Sequence, residues 1–247
     1  GVKVSRLNEI AENNFSQKSL GDIYKINNKV GLIFYKNYIN KLTTFLRKIG
    51  ININTVPVLD VLRKNTNKVI GNRSFSKDKL IVRKLGEALI RYFHSNKIGC
   101  IIKHIPGHGA TNIDSHKKMP RVLLNYKKLN NVDFYPFKVS SAKLAMTAHV
   151  LYSKIDNKNV ATFSKKIIEN VIRKKLKFKG LLISDDISMK ALKFDIITNA
   201  KKSLKAGCNL VLYCSGNSKV SSKLLKNIPL IDKFTQKKTS QFYKFLG

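Results

Sequence analysis

Residues 103–116 read KHIPGHGATNIDSH and hold three of the chain's five histidines, together with a lysine and an aspartate. Several chemistries are open to such a set. Asp114 stands two residues before His116. A carboxylate bonded to one imidazole nitrogen fixes the tautomer and raises the basicity of the other, which is the logic of a proton-transferring dyad. A polar surface turn explains the same three letters equally well. His104, His108, His116 and Asp114 could also be read as metal ligands. Their spacing fits no zinc pattern, and Pro106 and Gly107 break any helix that would align them, so no metal is expected. Lys103, His104 and Arg73 are donors suited to gripping hydroxyls or carboxylates, or else structural groups satisfied at strand ends. Further along, Asp185 and Asp186 follow the apolar run LLIS. One of the pair is expected to cap the turn that follows and the other to do chemistry.

These residues need elements to carry them. The apolar run 98–102, followed by Pro and Gly punctuation, has the pattern of a buried strand delivering a functional loop at its C-terminal end. Upstream, the periodicity predicts a helix over 37–50 with Ile39, Leu42, Phe45, Leu46 and Ile49 on one face and Gly50 as its stop. A strand follows over 51–61, containing Pro57 and Asp60. Ser76 or Asp78 should then cap a helix whose inner stripe is Ile81, Leu85, Leu89, Tyr92 and Phe93. Downstream come a strand over 144–150, a helix capped by Ser164, a strand over 181–184, a helix over 194–206 stopped by Gly207, and a strand over 210–214. The lysine-rich last thirty residues should be helical and pack Phe242, Phe245 and Leu246. Alternating strands and helices imply parallel pairing, and in such sheets the strand C-terminal ends carry the chemistry. No GxGxxG or Walker pattern follows any strand, which favours a barrel over a nucleotide-binding sheet.

A chain of 247 residues with 43% hydrophobic content can build one large α/β domain or two small ones. No apolar run is long enough to span a bilayer and no signal peptide stands at Gly1, so a cytoplasmic location without membrane partners is expected. Cys100, Cys208 and Cys214 lie in or beside apolar runs and are expected as buried free thiols. The formal charge of +34 suggests polyanion binding. However, lysine is spread along the whole chain, and Asn and Ile are over-used with it. All three have AT-rich codons, so drift in base composition accounts for the excess better than a nucleic-acid footprint, and no specific nucleic-acid partner is expected.

The loop 103–116, with its closing Pro120, resembles the KH(F)PGHG…DSH…P loop of family 3 glycoside hydrolases of the β-N-acetylhexosaminidase type, bacterial enzymes of peptidoglycan recycling. PVLDV at 57–61, IGNRSF at 70–75, AMTAHV at 145–150, LLISDDISM at 181–189 and AGCNLVLYC at 206–214 match in the same order. The resemblance implies an α/β fold of (β/α)8 TIM-barrel type and a retaining exo-β-N-acetylglucosaminidase. By the same resemblance Asp185 would be the nucleophile and His116 the general acid/base, oriented by Asp114. Arg73, Lys103 and His104 would hold the sugar hydroxyls. Its substrates would be GlcNAc-containing cell-wall fragments, cleaved by a monomer without a cofactor.

GVKVSRL at 1–7 resembles the end of the family's DQEGGRVQRL strand-loop, with Arg6 on a sugar-binding arginine, although Val2 and Lys3 replace the usual Gly and Arg. The family's opening strands have no counterpart before it. The expected architecture is therefore one barrel domain over 1–247 that lacks its N-terminal strands. An inactive, sugar-binding remnant is the alternative to an enzyme, as is a family 3 hydrolase of other sugar specificity.

Overall fold

The computed structural model describes residues 15–115, 118–138 and 141–247. Arg6 and His116 lie outside the described residues. The described chain opens with two helices, α1 (Gln17–Ile26) and α2 (Asn28–Lys48), then a short strand β1 (Ile53–Asn54). After a 3-10 turn at Gly71–Arg73 come α3 (Lys79–Ser95), β2 (Gly99–Ile105), β3 (Arg121–Val122) and α4 (Tyr126–Asn131). Next are β4 (Leu144–Thr147), β5 (Leu151–Tyr152), a π-helical stretch Ile167–Lys175 and β6 (Leu181–Asp186). The chain closes with α5 (Ile196–Ala206), β7 (Leu210–Leu212), α6 (Ser218–Asn227) and α7 (Lys233–Leu246).

The main sheet is parallel throughout, in the order β1-β2-β4-β6-β7, and β3 pairs with β5 in a separate two-stranded ladder. This is the curved strand-helix arrangement of a barrel wall. Among the described residues the sheet does not close on itself, so β1 and β7 are edges. An open edge presents unpaired amide groups. Next to β1 these are partly met by a side chain. Val58 donates its N–H to Gln17 Oε1 and accepts from Gln17 Nε2, both at 2.9 Å, so one amide side chain stands in for a neighbouring strand.

Strand alternation divides the sheet into two faces. Cys100, Ile102, Ala145 and Leu182 point to the main core with Leu85, Leu89 and Phe93 of α3 and Ile168, Val171 and Ile172 of the π-helical stretch. Full burial of each large apolar side chain there contributes about 1.5–3 kcal/mol. Ile101, Leu144, Met146 and Leu181 point to the opposite, concave face, where they meet Phe242 of α7. Continued upward, that concave face presents Lys103 and Asp185 by the same two-residue period.

Several elements differ from their sequence-based expectations. α2 begins nine residues earlier than the pattern at 37–50, because Asn27 caps it by accepting from Val30 N and Tyr35 extends the buried stripe. Ile49 falls outside the helix and is exposed. The strand over 51–61 shrinks to two residues, since Pro57 has no N–H to donate and only Val58 continues the pairing, as a single bridge to Lys103. β2 runs on through Lys103 and His104 to Ile105 instead of ending before them. Cys214 is exposed, not buried, because it lies past the end of β7. Asp78 is the cap of α3, through Leu80 N, and Gly207 ends α5 at φ +114 as a left-handed cap. No helix among the described residues is long and apolar enough to cross a membrane.

Candidate active site

The loop after β2 is held by close approaches that only glycine allows. Gly107 sits at φ +145, and a Cβ there would lie 2.6 Å from the Asp133 carbonyl oxygen. A Cβ on Gly109 would lie 1.9 Å from the Val61 carbonyl oxygen. The Tyr152 hydroxyl donates to the Gly107 carbonyl at 2.5 Å and fixes the loop from the other side. Further along, Ala191 N donates to the Ser115 carbonyl, tying the loop to the turn that follows β6.

Asp185 and Asp186 divide their tasks. Asp186 accepts from Ser188 N at 3.0 Å, Ser188 Oγ at 2.7 Å and Cys214 N at 3.3 Å, so it organises the turns after β6 and β7. Among the described residues Asp185 accepts only the adjacent Asp186 N–H, and its side chain keeps 18% of its surface. Burial on its own would raise the Asp185 pKa. The charges of His104, His149 and Lys103 and the Asp186 N–H outweigh it and hold the group below the usual carboxylate range. An ionised, under-coordinated carboxylate at a strand end is a competent nucleophile.

His104 stands between two carboxylates. Its Nδ1 is 2.6 Å from Asp60 Oδ2 and its Nε2 is 3.9 Å from Asp185 Oδ2. Burial works against ionisation of Asp60, but the charge and hydrogen bond of His104, with help from His108, bring its pKa down. Lys103 reaches Thr55 Oγ1 at 3.2 Å. Burial first, and then the charge of Arg73, lower its pKa to about 8, while Asp185 and Asp60 pull the other way. Arg73, on the 3-10 turn, bonds the Val69 carbonyl at 3.2 Å. Its pKa is lowered chiefly by burial, against the attraction of Asp60, Asp185 and Asp114.

Arg73, Lys103, His104 and Asp185 line one cavity of about 680 Å³, which runs from this polar end into an apolar wing beside Tyr38 and Ile53. Four of the sequence-derived site residues are thus brought together, and Asp114 lies within electrostatic reach of Arg73. Four convergent polar groups in a cavity of this size suit a ligand with several hydroxyls. No group of three or more metal-ligating side chains exists among the described residues.

Two residues that the sequence places at strand C-terminal ends were given no role in the site from it. Asp60 is fully buried behind the cavity wall. His149 donates Nε2–H to the Asp186 carbonyl at 3.0 Å and turns Nδ1 to Thr162 Oγ1 at 2.7 Å. The signal for Asp60 was present, because an acid inside the apolar run PVLDV must be paired if it is buried.

The family described as the Glycosyl hydrolase family 3 N terminal domain matches residues 24–239. A Beta-hexosaminidase of Hydrogenovibrio crunogenus is 34% identical over 220 residues, covering 87% of this chain and 61% of that protein. Beta-hexosaminidase A of Pseudoalteromonas piscicida is 32% identical over 230 residues, covering 86% of this chain and 38% of that one. Among solved structures, native NagZ from Neisseria gonorrhoeae superposes with a TM-score of 0.86 at 28% identity, over 98% of this chain and 70% of that chain. The beta-N-acetylglucosaminidase from Thermotoga maritima gives a TM-score of 0.70 at 30% identity, over 87% and 48%. The chain spans less than two thirds of the length of these curated relatives.

Proposed function

The chain belongs to the glycosyl hydrolase family 3 N-terminal domain family, and from that premise we propose that it is a retaining β-N-acetylglucosaminidase. Asp185 attacks the anomeric carbon and forms a glycosyl-enzyme ester while the glycosidic oxygen leaves with a proton from His116. Water, deprotonated by the same imidazole, then hydrolyses the ester. Asp114 stabilises the imidazolium and selects its tautomer. Arg73, Lys103 and His104 grip the sugar hydroxyls, and Arg6 joins them. The substrates are terminal GlcNAc residues on cell-wall fragments such as GlcNAc-anhydro-MurNAc, with or without peptide, cleaved in the cytoplasm by the monomer. An imidazole in place of the second carboxylate is the departure from the usual two-acid pair.

The observation that carries this reading is Asp185 itself, ionised at the end of β6 on a cavity whose other polar walls are Arg73, Lys103 and His104. Relatives named beta-hexosaminidase and beta-N-acetylglucosaminidase support the sugar. The test is turnover of a chromogenic β-GlcNAc glycoside, followed by trapping with a fluorinated glycoside and peptide mass spectrometry. A label on Asp185 is expected, and a label on Asp186 overturns the assignment. Among the described residues the sheet does not close, which favours a second reading, a chain that binds GlcNAc without cleaving it. Calorimetric binding of GlcNAc with no turnover would select that one.

A further inference from the structure

Asp60 has no place in the reaction just described, yet it is tied to several parts of the site. Its carboxylate accepts from His104 Nδ1 at 2.6 Å, His104 N at 3.3 Å and His108 N at 2.6 Å, and its own carbonyl accepts from Ser74 Oγ at 2.5 Å, next to Arg73. It is fully buried and lies behind the cavity wall, so it does not touch substrate. It reaches this place because 57–59 run alongside β2: Lys103 N donates to the Pro57 carbonyl and Leu59 N to the Lys103 carbonyl.

We propose that Asp60 is a positioning residue of the active site, holding the proton on His104 Nδ1 and so turning Nε2 toward the nucleophile Asp185. The inference rests on the glycosidase reading for its catalytic consequence. Its physical basis stands apart from that reading. A ring placed between two carboxylates can serve both only with a proton on each nitrogen, and a buried anion on Nδ1 stabilises that form. Asp60, His104 and Asp185 then act as one electrostatic unit, in which the charge of His104 is among the causes that hold Asp185 below the usual carboxylate range. The other groups facing His104 do not replace Asp60. Lys103 and Arg73 supply no anion, burial pushes His149 toward its neutral form, and the ring of His108, with centroids 5.6 Å apart, is kept neutral by burial. Asp60 and Asp185 are the anions on it.

The deciding variant is Asp60→Asn, which keeps an oxygen for the His104 and His108 backbone N–H groups but replaces the anion beside Nδ1 by an amide. Nitrogen-15 spectra of the histidines, with His104 assigned by its loss in His104→Gln, should show protons on both ring nitrogens in the wild type while Asp185 is ionised. In Asp60→Asn a single proton should remain, and the carboxyl carbon of Asp185 should titrate at higher pH. The sign follows from the loss of the cation that depressed the Asp185 pKa. In activity, kcat/KM should fall about 10–100-fold, as for other outer partners of site groups, and the acid limb of its pH profile should move upward. The shift should vanish in the His104→Gln background.

An Asp60→Asn protein with an unchanged histidine spectrum and acid limb overturns the proposal, as does a wild-type His104 with one proton beside an ionised Asp185. If Asp60→Asn does not fold, His104→Gln decides: an unmoved Asp185 titration overturns the proposal. A wild type that cleaves no GlcNAc glycoside overturns the glycosidase reading, while the spectra still judge Asp60.

Discussion

The two ends of the sheet's concave face are built by the same strands to opposite purposes. At the C-terminal end, Lys103 and Asp185 continue the rows that begin with Ile101, Leu181 and Ile183, and they face a water-accessible cavity. At the N-terminal end α7 closes the face with Phe242, Phe245 and Leu246. The fit there is tight enough that a Cβ on Gly99 would sit 2.4 Å from the Phe242 ring. Phe245 lies edge-on to His94, with Lys97 and Lys143 over its ring. One end gathers buried ionisable groups, whose desolvation opposes folding, and the other concentrates apolar burial. The difference teaches that chemistry at one end of a strand depends on stability supplied at the other.

Substitutions should separate the two ends cleanly. The largest effect is expected at Asp185→Ala, with kcat on a β-GlcNAc glycoside lower by on the order of 10³–10⁶-fold, as for loss of a nucleophile. Its melting temperature should fall less than that of a core variant, because the lowered pKa of Asp185 marks a small contribution to stability beside that of a buried apolar side chain. A fall comparable to that of a core variant would mean that Asp185 is a structural anchor.

His116→Ala should lose about 10²–10⁴-fold on a natural disaccharide. The loss should be smaller on a nitrophenyl glycoside, whose leaving group departs without protonation. Asp114→Asn should give a partial defect of the same pattern. Equal losses on both substrates would assign His116 to sugar binding rather than proton transfer.

At the opposite end, Phe242→Ala should destabilise the protein by about 3–5 kcal/mol in denaturant titrations. The KM of the folded fraction should be unchanged. A KM shift matching the stability loss would show that the two ends are coupled through the strands.

The smallest effect is shared. Burial lowers the pKa of His108 at the site end, and of His94 beneath α7, to about 4 in each case, and His94 Nε2 has no hydrogen-bond partner among the described residues. Both folded values lie below the unfolded value of about 6.5, so the unfolded chain binds the extra protons first. Stability should therefore decline as pH falls from about 6.5 toward 4. Asp60 and Asp185 act in the same sense over a lower pH window. Their folded values lie below the unfolded one, so their contribution is present above about pH 4 and is lost only as pH falls through the folded values. His94→Gln should flatten the decline between pH 6.5 and 4 in thermal unfolding. A slope that stays unchanged in both His94→Gln and His108→Gln would show that neither histidine is held neutral.

Much of this was legible in the letters. Periodicity placed α3 and the π-helical stretch with their buried stripes, because an amphipathic helix needs only its own spacing to declare its inner face, while α5 was placed by its Gly207 stop and the lysine-rich last thirty residues, read as helical, divide into α6 and α7. The run LLIS before Asp185, and the Pro and Gly punctuation after β2, located the end of the sheet that opens on the cavity, since a buried strand and a glycine-dependent loop are local demands. Short strands fared worse. The ladder of β3 with β5 and the shrinkage of β1 depend on partners far along the chain, and Pro57 removes a donor that only pairing makes necessary.

Ordered motifs along the chain pointed to a family and to candidate roles for Asp185, Arg73, Lys103 and His104. Which residues act as a unit was decided in three dimensions. Asp60 and His104 are 44 residues apart in sequence and 2.6 Å apart in space, and nothing in either local pattern requires the other. A hydrogen bond between distant residues leaves no period to read. It exists because parallel pairing lays 57–59 along β2, and a buried charge has to be met by whatever that packing brings to it.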